Sequence, residues 1–114
     1  MVVRMRVMIS FIVAFCVAPV TNFAKGFDES DLLKARALNQ CESCDLREAD
    51  LSGQNFSKGN FARADLRQAN LQRANLSSAN LSYAKLRKAD LSDANLVGAN
   101  LRESDVRNAI LTNA

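Results

Sequence analysis

Residues 64–103 read ADLRQ ANLQR ANLSS ANLSY AKLRK ADLSD ANLVG ANLRE, which is one five-residue pattern written eight times in succession. Extended in both directions, the pattern places an apolar residue at every fifth position, fourteen times between residues 44 and 113. A small residue, usually Ala, stands two positions earlier, and Asp or Asn stands one position earlier in all but two repeats. The apolar residues are Leu46, Leu51, Phe56, Phe61, Leu66, Leu71, Leu76, Leu81, Leu86, Leu91, Leu96, Leu101, Val106 and Leu111.

A period of five fits neither common secondary structure. On a helix with about 100° per residue, successive leucines would advance round the axis by about 140° and form no stripe. On a strand, side chains alternate between faces, so every second leucine would lie on the opposite face. All fourteen reach one interior only if the chain bends once per repeat, and Asp and Asn tolerate the turn conformations that this requires. The sequence therefore predicts a β-solenoid, in which each coil hydrogen-bonds to the coils above and below.

The quoted stretch resembles the pentapeptide-repeat family, and the resemblance covers residues 44–113. It implies an all-β solenoid: a right-handed, four-sided β-helix with four repeats to a coil. Fourteen repeats then make about three and a half coils, roughly 17 Å long at the usual strand spacing. The mild departures from the pattern are Gln54 and Gly59 in the small position, Lys85 and Ile110 in the turn position, and Val106 in the apolar position.

The composition of residues 1–24 is different. Arg4 and Arg6 precede an apolar run over residues 7–18, and a polar stretch ends at Ala24. This layout is typical of a secretory signal peptide, with a cleavage site near Ala24. The run is shorter than the roughly 20 residues of a membrane span. We expect export to a bacterial periplasm or secretion, with no stable membrane span after cleavage. The alternatives are a thylakoid lumen or an uncleaved membrane anchor.

The charge balance argues against a nucleic-acid partner. The whole chain has fifteen Lys and Arg against twelve Asp and Glu, a net charge of +3. Arg4 and Arg6 would leave with the signal peptide, so thirteen basic residues would face twelve acidic ones. The pI of about 9.0 is therefore no nucleic-acid footprint.

Residues 25–43 are predicted to form a linker and a short helix from Asp28 to Asn39. Asp28 or Ser30 can cap the helix N-terminus. An open solenoid end exposes apolar side chains and unpaired backbone groups, so we expect this helix to cover the first coil. The alternative is a helix that binds a membrane surface or a partner.

Cys41 and Cys44 stand where this helix meets the first repeat. In an oxidising compartment they most simply pair as a structural disulfide. Two alternatives are a redox centre, since the spacing is C-x-x-C, and unpaired small residues. A zinc site would need two further ligands, and the chain has no His.

The sequence indicates no catalytic residues, no metal site and no cofactor. Without His, the chain lacks the usual general base and the commonest transition-metal ligand. It has no glycine-rich phosphate loop, and the repeats have no long insertion in which an active site could lie.

Function is therefore expected on the outer sides. With four repeats per coil, every twentieth residue stacks, which places Arg47, Arg67, Arg87 and Arg107 in one column with Lys88 beside it. Stacked like charges repel unless something offsets them. One interpretation is a lattice of Arg and Asp that keeps the column soluble. The other is a binding surface for a protein partner or an anionic component of the cell envelope.

The last repeats predict an end-to-end homodimer. Ile110 puts an apolar group in a turn position, and Val106 and Leu111 lie in the same final coil. No capping helix follows these repeats in the sequence, and uncovered solenoid ends favour edge pairing. We therefore expect self-association through residues 106–114.

The leading hypothesis is an exported, non-catalytic scaffold or protein-interaction module. A thiol-active envelope protein that uses Cys41 and Cys44 is the alternative. A third hypothesis is DNA mimicry, since some pentapeptide-repeat proteins bind type II topoisomerases. Those members are strongly acidic, whereas this chain is nearly neutral without its first 24 residues.

Overall fold

The computed structural model describes residues 26–114, and the predicted signal peptide lies outside them. The described part contains one helix, α1, Glu29–Leu38. The Asp28 carboxylate accepts the backbone N–H of Ser30 at 2.8 Å and so caps its N-terminus. The helix ends at Leu38 because Asn39 is left-handed, with φ 56°.

From Gln40 onward the chain is a solenoid with four repeats to each coil. Eleven parallel bridges join residues that are 20 apart, from Gln40 with Asn60 to Asp90 with Ile110. The stacking thus includes Gln40 and Cys41, one repeat before the first that the sequence pattern identifies.

The sides of the solenoid are isolated bridges rather than continuous strands, which differs from the usual ladder of an all-β fold. A five-residue repeat spends most of its length on the bend, so one residue per repeat forms the bridge. The coils are nevertheless joined by regular backbone hydrogen bonds. The N–H of Leu66 donates to the carbonyl of Lys85 above, and the N–H of Asp65 donates to the carbonyl of Cys44 below, both at 2.8 Å.

Every corner repeats the same local geometry, which explains the residue pattern. In one repeat, the N–H of Ala74 donates to the carbonyl of Leu71 at 3.1 Å and closes the turn. The side chain of Asn70 accepts the N–H of Gln72 at 3.0 Å, which is why Asn or Asp precedes the leucine. Arg73 takes the left-handed conformation, with φ 58°, and the equivalent residue of the other repeats does the same.

The interior is a single apolar column. Phe56 and Phe61 meet edge to face within it, with ring centroids 5.0 Å apart. Ala35 of α1 belongs to the same cluster, so the helix packs on the first coil. Leu96 and Leu101, near the other end, are partly buried. The fully buried large side chains of the repeats are Leu46, Leu51, Phe56, Phe61, Leu66, Leu71, Leu76, Leu81, Leu86 and Leu91.

Cys41 and Cys44 occupy the inward positions of one corner, where the next corner has Leu46 and Ala49. Their sulfur atoms lie 2.09 Å apart, which is disulfide distance. Both residues are buried, at 1% and 3% exposure. The pair thus replaces the Leu–Ala contact of an ordinary corner.

Candidate partner-binding face

One side of the column carries the predicted arginine column, and we call it the arginine face. Bridges join Asp45 to Asp65, Asp65 to Lys85, and Lys85 to Asp105, so residues 20 apart lie directly above one another. The outward residues of this face are Asp45, Arg47, Glu48, Asp65, Arg67, Gln68, Lys85, Arg87, Lys88, Asp105, Arg107 and Asn108.

Three of the four arginines are held by the aspartate two residues earlier. In each pair, Nε donates to Oδ1 at 2.8 Å and Nη2 donates to Oδ2 at 2.6 or 2.7 Å. The carboxylate also accepts the arginine's own backbone N–H at 3.2 or 3.3 Å. Such two-point bonds between charged groups fix the guanidinium plane. The pairs are Asp45–Arg47, Asp65–Arg67 and Asp105–Arg107.

These contacts lower the pKa of the three carboxyl groups. The side-chain hydrogen bond from Arg107 is the main reason why the pKa of Asp105 falls to about 2. The corresponding bond from Arg47 lowers the pKa of Asp45. For Asp65 burial raises the pKa, but the hydrogen bonds from its arginine outweigh burial, so the net direction is downward. All three carboxylates are therefore ionised at neutral pH.

Arg87 is the exception because the residue two positions earlier is Lys85. Within residues 26–114, the side chains of Lys85, Arg87 and Lys88 form no hydrogen bond and no ion pair within 4.0 Å. All three are exposed. The third coil thus places three unpaired positive charges on a face whose other coils are internally neutralised.

A shallow groove runs beside these charges. It is lined by Arg67, Gln68, Arg87 and Lys88. A second groove lies next to it on the same face and is lined in part by Arg47 and Glu48, with Arg67 and Gln68 shared between the two grooves. The structure thus brings the predicted residues Arg67, Arg87 and Lys88 around one depression, and Arg107 lies in the coil beyond.

The neighbouring side shows how a fully partnered column differs. Arg63 lies over the ring of Tyr83, 5.2 Å from its centroid, and 3.8 Å from Glu42. A hydrogen bond to Glu103 raises the pKa of the Tyr83 hydroxyl. In that column each charged side chain faces a complementary group, so it leaves no cation free.

The residues of the predicted dimer end lie on the last coil. Val106, Ile110 and Leu111 are 38%, 49% and 46% exposed. Among the described residues, the backbone N–H groups of Leu101, Val106 and Leu111 have no hydrogen-bond partner. The equivalent groups of earlier coils all bond to the coil above.

In the part of the chain that the structure describes, no group of three or more His, Cys, Asp or Glu residues is placed to hold a metal ion. Within residues 26–114, no helix has the length and apolar character to cross a membrane.

The signal that sequence analysis missed is a single letter. D-x-R occurs at residues 45–47, 65–67 and 105–107, whereas residues 85–87 read K-x-R. The period predicts which arginines stack, but only the corner geometry shows that each is gripped by its own aspartate. Lys85 therefore belongs to the candidate site.

Comparison with known proteins agrees with this architecture. The family model for pentapeptide repeats matches residues 44–82 and 74–113. A search of curated protein sequences finds no match.

Several solved structures are similar. HetL, a pentapeptide repeat protein involved in heterocyst differentiation regulation from Nostoc sp. strain PCC 7120, is 40% identical over 63% of this chain, with a TM-score of 0.62. A pentapeptide repeat protein from the Arabidopsis thaliana thylakoid lumen is 39% identical over 65% of the chain, with a TM-score of 0.59. Rfr23 from Cyanothece 51142 is 32% identical over 63%, with a TM-score of 0.55.

The chain covers only 34%, 48% and 53% of the length of these three neighbours. Their repeats imply a right-handed β-helix for the 20-residue coils described above. With the repeats matched over more than half of its length, the chain belongs to the pentapeptide-repeat family.

Proposed function

We propose that the protein is a non-catalytic interaction module that presents its arginine face to an anionic partner. The observation that carries this proposal is the column of arginines at one coil spacing, held in fixed orientation by Asp45, Asp65 and Asp105. A guanidinium whose orientation is already fixed loses little conformational entropy when it binds a further anion. The face is therefore preorganised for anion recognition.

The absence of catalysis is part of the same proposal. Pentapeptide-repeat proteins are generally non-enzymatic scaffolds. The whole chain lacks His, and its interior is packed with Leu, Ala and Phe. These features favour recognition on the outer sides over chemistry in a buried site.

We place this activity outside the cytoplasm. The basic and apolar character of residues 1–24 supports export. A relative of known structure comes from a thylakoid lumen, which is a compartment of the same kind. A periplasmic or secreted location fits the buried Cys41–Cys44 pair as a structural disulfide.

Capture of partners from an envelope extract tests the proposal. We expect the double variant Arg67→Ser/Arg87→Ser to lose the partner that the unmodified chain retains, as measured by crosslinking and mass spectrometry. The matched control is Lys58→Ser/Arg73→Ser, which removes the same charge from two other sides. Unchanged capture by the first variant, or equal loss in both, would contradict the proposed function.

Thiol chemistry is the competing function, and burial disfavours it. Thiol exchange needs an accessible sulfur, whereas Cys41 and Cys44 are 1% and 3% exposed. We expect a pair that resists reduction by glutathione in the folded protein. A readily reduced pair would favour the thiol-active alternative.

A further inference from the structure

The three aspartate–arginine pairs show which ligand the arginine position takes. In each pair, one planar carboxylate meets Nε and Nη2 of one guanidinium side on, with both bonds between 2.6 and 2.8 Å. The corner that holds Arg87 has the same backbone, since the Arg87 carbonyl accepts the N–H of Gln68 at 2.9 Å, as the Arg67 carbonyl accepts that of Glu48. Only the carboxylate is missing, because residue 85 is Lys.

The coils on either side do not supply the missing carboxylate. Asp65 and Asp105 lie below and above Lys85, but each is already bound at two points by its own arginine. Arg87 contributes to the low pKa of Asp105 only through charge, without a hydrogen bond. The guanidinium of Arg87 therefore keeps both of its paired donors free.

We propose that Lys85, Arg87 and Lys88 form a binding site for a carboxylate-rich segment of a partner protein, which supplies in trans the carboxylate that the third coil lacks. The proposal rests on the proposed function and narrows it to one coil. One carboxylate of the segment pairs side on with Arg87. Lys85 and Lys88 flank Arg87 in the same corner and neutralise neighbouring acidic side chains, and the amide of Gln68 lines the groove as a further donor.

The charges around the site favour a short acidic segment over an extended polyanion. Asp45 and Glu48 lie on the first coil, and Asp65 and Asp105 flank the site. A membrane surface or a long polymer lying along the whole face would meet these carboxylates and be repelled. A segment of a few residues that contacts only the third coil meets three positive charges.

Lys85→Asp is the decisive variant. It installs the D-x-R motif of the other three coils, so Arg87 becomes internally paired while the corner is preserved. We expect the full chain to bind a synthetic tetra-glutamate peptide in a calorimetric titration, and Lys85→Asp to weaken that binding by at least about tenfold, since a two-point charged contact is lost. Arg87→Gln should weaken it similarly, and the Arg87 Nε–H resonance should shift on peptide binding only in the unmodified chain.

Lys58→Asp is the matched control, because it makes the same change of charge on another side of the column. We expect it to bind the peptide as the unmodified chain does. Equal weakening by Lys58→Asp and Lys85→Asp would show a response to net charge alone and would overturn the proposal.

Two further probes distinguish the source of the anion. We expect inorganic phosphate and vesicles of anionic phospholipid to bind at least about tenfold more weakly than the peptide, since neither presents several planar carboxylates. Equal or tighter binding of either would overturn a carboxylate site. If Lys85→Asp still captures the envelope partner that Arg67→Ser/Arg87→Ser loses, this inference fails and the broader function stands.

Discussion

At the scale of the residue, the turn aspartate performs two tasks on the arginine face. Its carboxylate accepts the N–H of the residue two positions later and so fixes the bend, and it also grips the guanidinium of that residue. Asn at the same position performs only the first task, as in Asn95, which accepts the N–H of Val97. The choice between Asp and Asn therefore decides where an arginine is held.

The carboxyl of Asp105 gives a direct measure of that grip. We predict that Arg107→Gln raises the pKa of Asp105 from about 2 toward the ordinary value of 3.8, because the dominant hydrogen bond is lost. The pKa is read from the carboxyl ¹³C shift during an NMR titration. Arg87→Gln is the control and should move it less, since Arg87 acts on Asp105 through charge alone. Equal shifts in the two variants would contradict the pairing.

The sign of the pH dependence follows from the direction of these shifts. The pKa of Asp105 is lower in the folded chain than in the unfolded chain, so its pair stabilises the fold above about pH 3.8. That contribution is lost as the pH falls toward about 2. We expect Arg107→Gln to flatten the fall in the free energy of unfolding across this interval.

Gly53 isolates the cost of the left-handed corner position. Its φ is +67°, and a Cβ built there would meet no atom within 4 Å. We predict that Gly53→Ala lowers the free energy of unfolding by about 1 kcal/mol, since only the backbone conformation is penalised. Urea denaturation measures the change.

Gly59 provides the comparison because its reason for being glycine is different. A Cβ there would overlap the side chains of Asn39 and Phe61. Gly59→Ala should therefore cost more than Gly53→Ala, since a packed neighbour must move. Equal costs would show that both positions are limited by the same factor. From the sequence, Gly59 was a mild departure from the repeat, because the pattern does not show that α1 ends above it.

At the scale of the element, α1 is joined to the first coil by polar contacts as well as by Ala35. The Asp31 carboxylate accepts the backbone N–H of Asp45 at 2.8 Å. Arg36 Nη2 donates to the carbonyl of Asp50 at 2.8 Å. The helix thus satisfies backbone groups of the first coil that no earlier coil can reach.

We predict that Asp31→Ala lowers the free energy of unfolding by about 2 kcal/mol, because a charged acceptor is lost and the N–H of Asp45 is left unpaired. Lys34→Ala is the control. It removes the other partner of Asp31, a 2.6 Å ion pair whose lysine is 51% exposed, and should cost less than about 1 kcal/mol. Thermal denaturation of both variants measures the difference. Similar losses would mean that the ion pair, rather than the contact with Asp45, holds the helix.

The repeat pattern predicts the coils well because each repeat makes the same demand on the same position. It fails where a residue fills a repeat position without resembling it. Gln40 and Cys41 take the turn and inward places of a corner, yet neither is Asn, Asp or Leu, so the pattern identifies its first repeat one corner later. The stacking of Arg87 was likewise predictable, whereas its freedom follows from the side-chain geometry around Lys85.

At the scale of the whole molecule, the two ends of the described solenoid differ. Each coil contacts only its neighbours, so an end coil needs another partner for its backbone groups and apolar side chains. At the first coil, α1 supplies that partner through Ala35, Asp31 and Arg36. On the last coil, Ile110 and Leu111 are about half exposed.

We predict that the chain self-associates through this coil, and that Ile110→Asp/Leu111→Asp abolishes the association. A second copy stacked end to end would pair the backbone N–H groups of Leu101, Val106 and Leu111 while it covers the apolar side chains. Charged residues at 110 and 111 oppose both effects, because they would be desolvated against a like-charged copy. Sedimentation equilibrium of the unmodified chain should show a mass that rises with concentration toward that of a dimer.

The other end of the column provides the matched control, because Leu33 and Leu38 on α1 are 67% and 64% exposed. Leu33→Asp/Leu38→Asp makes the same change in charge and apolar surface, and it should leave the dimer intact if residues 106–114 form the interface. Loss of the dimer in this variant alone would place the interface at α1. A strictly monomeric mass for the unmodified chain at high concentration would rule out end-to-end pairing, since the exposed surface of the last coil would then be stable in water by itself.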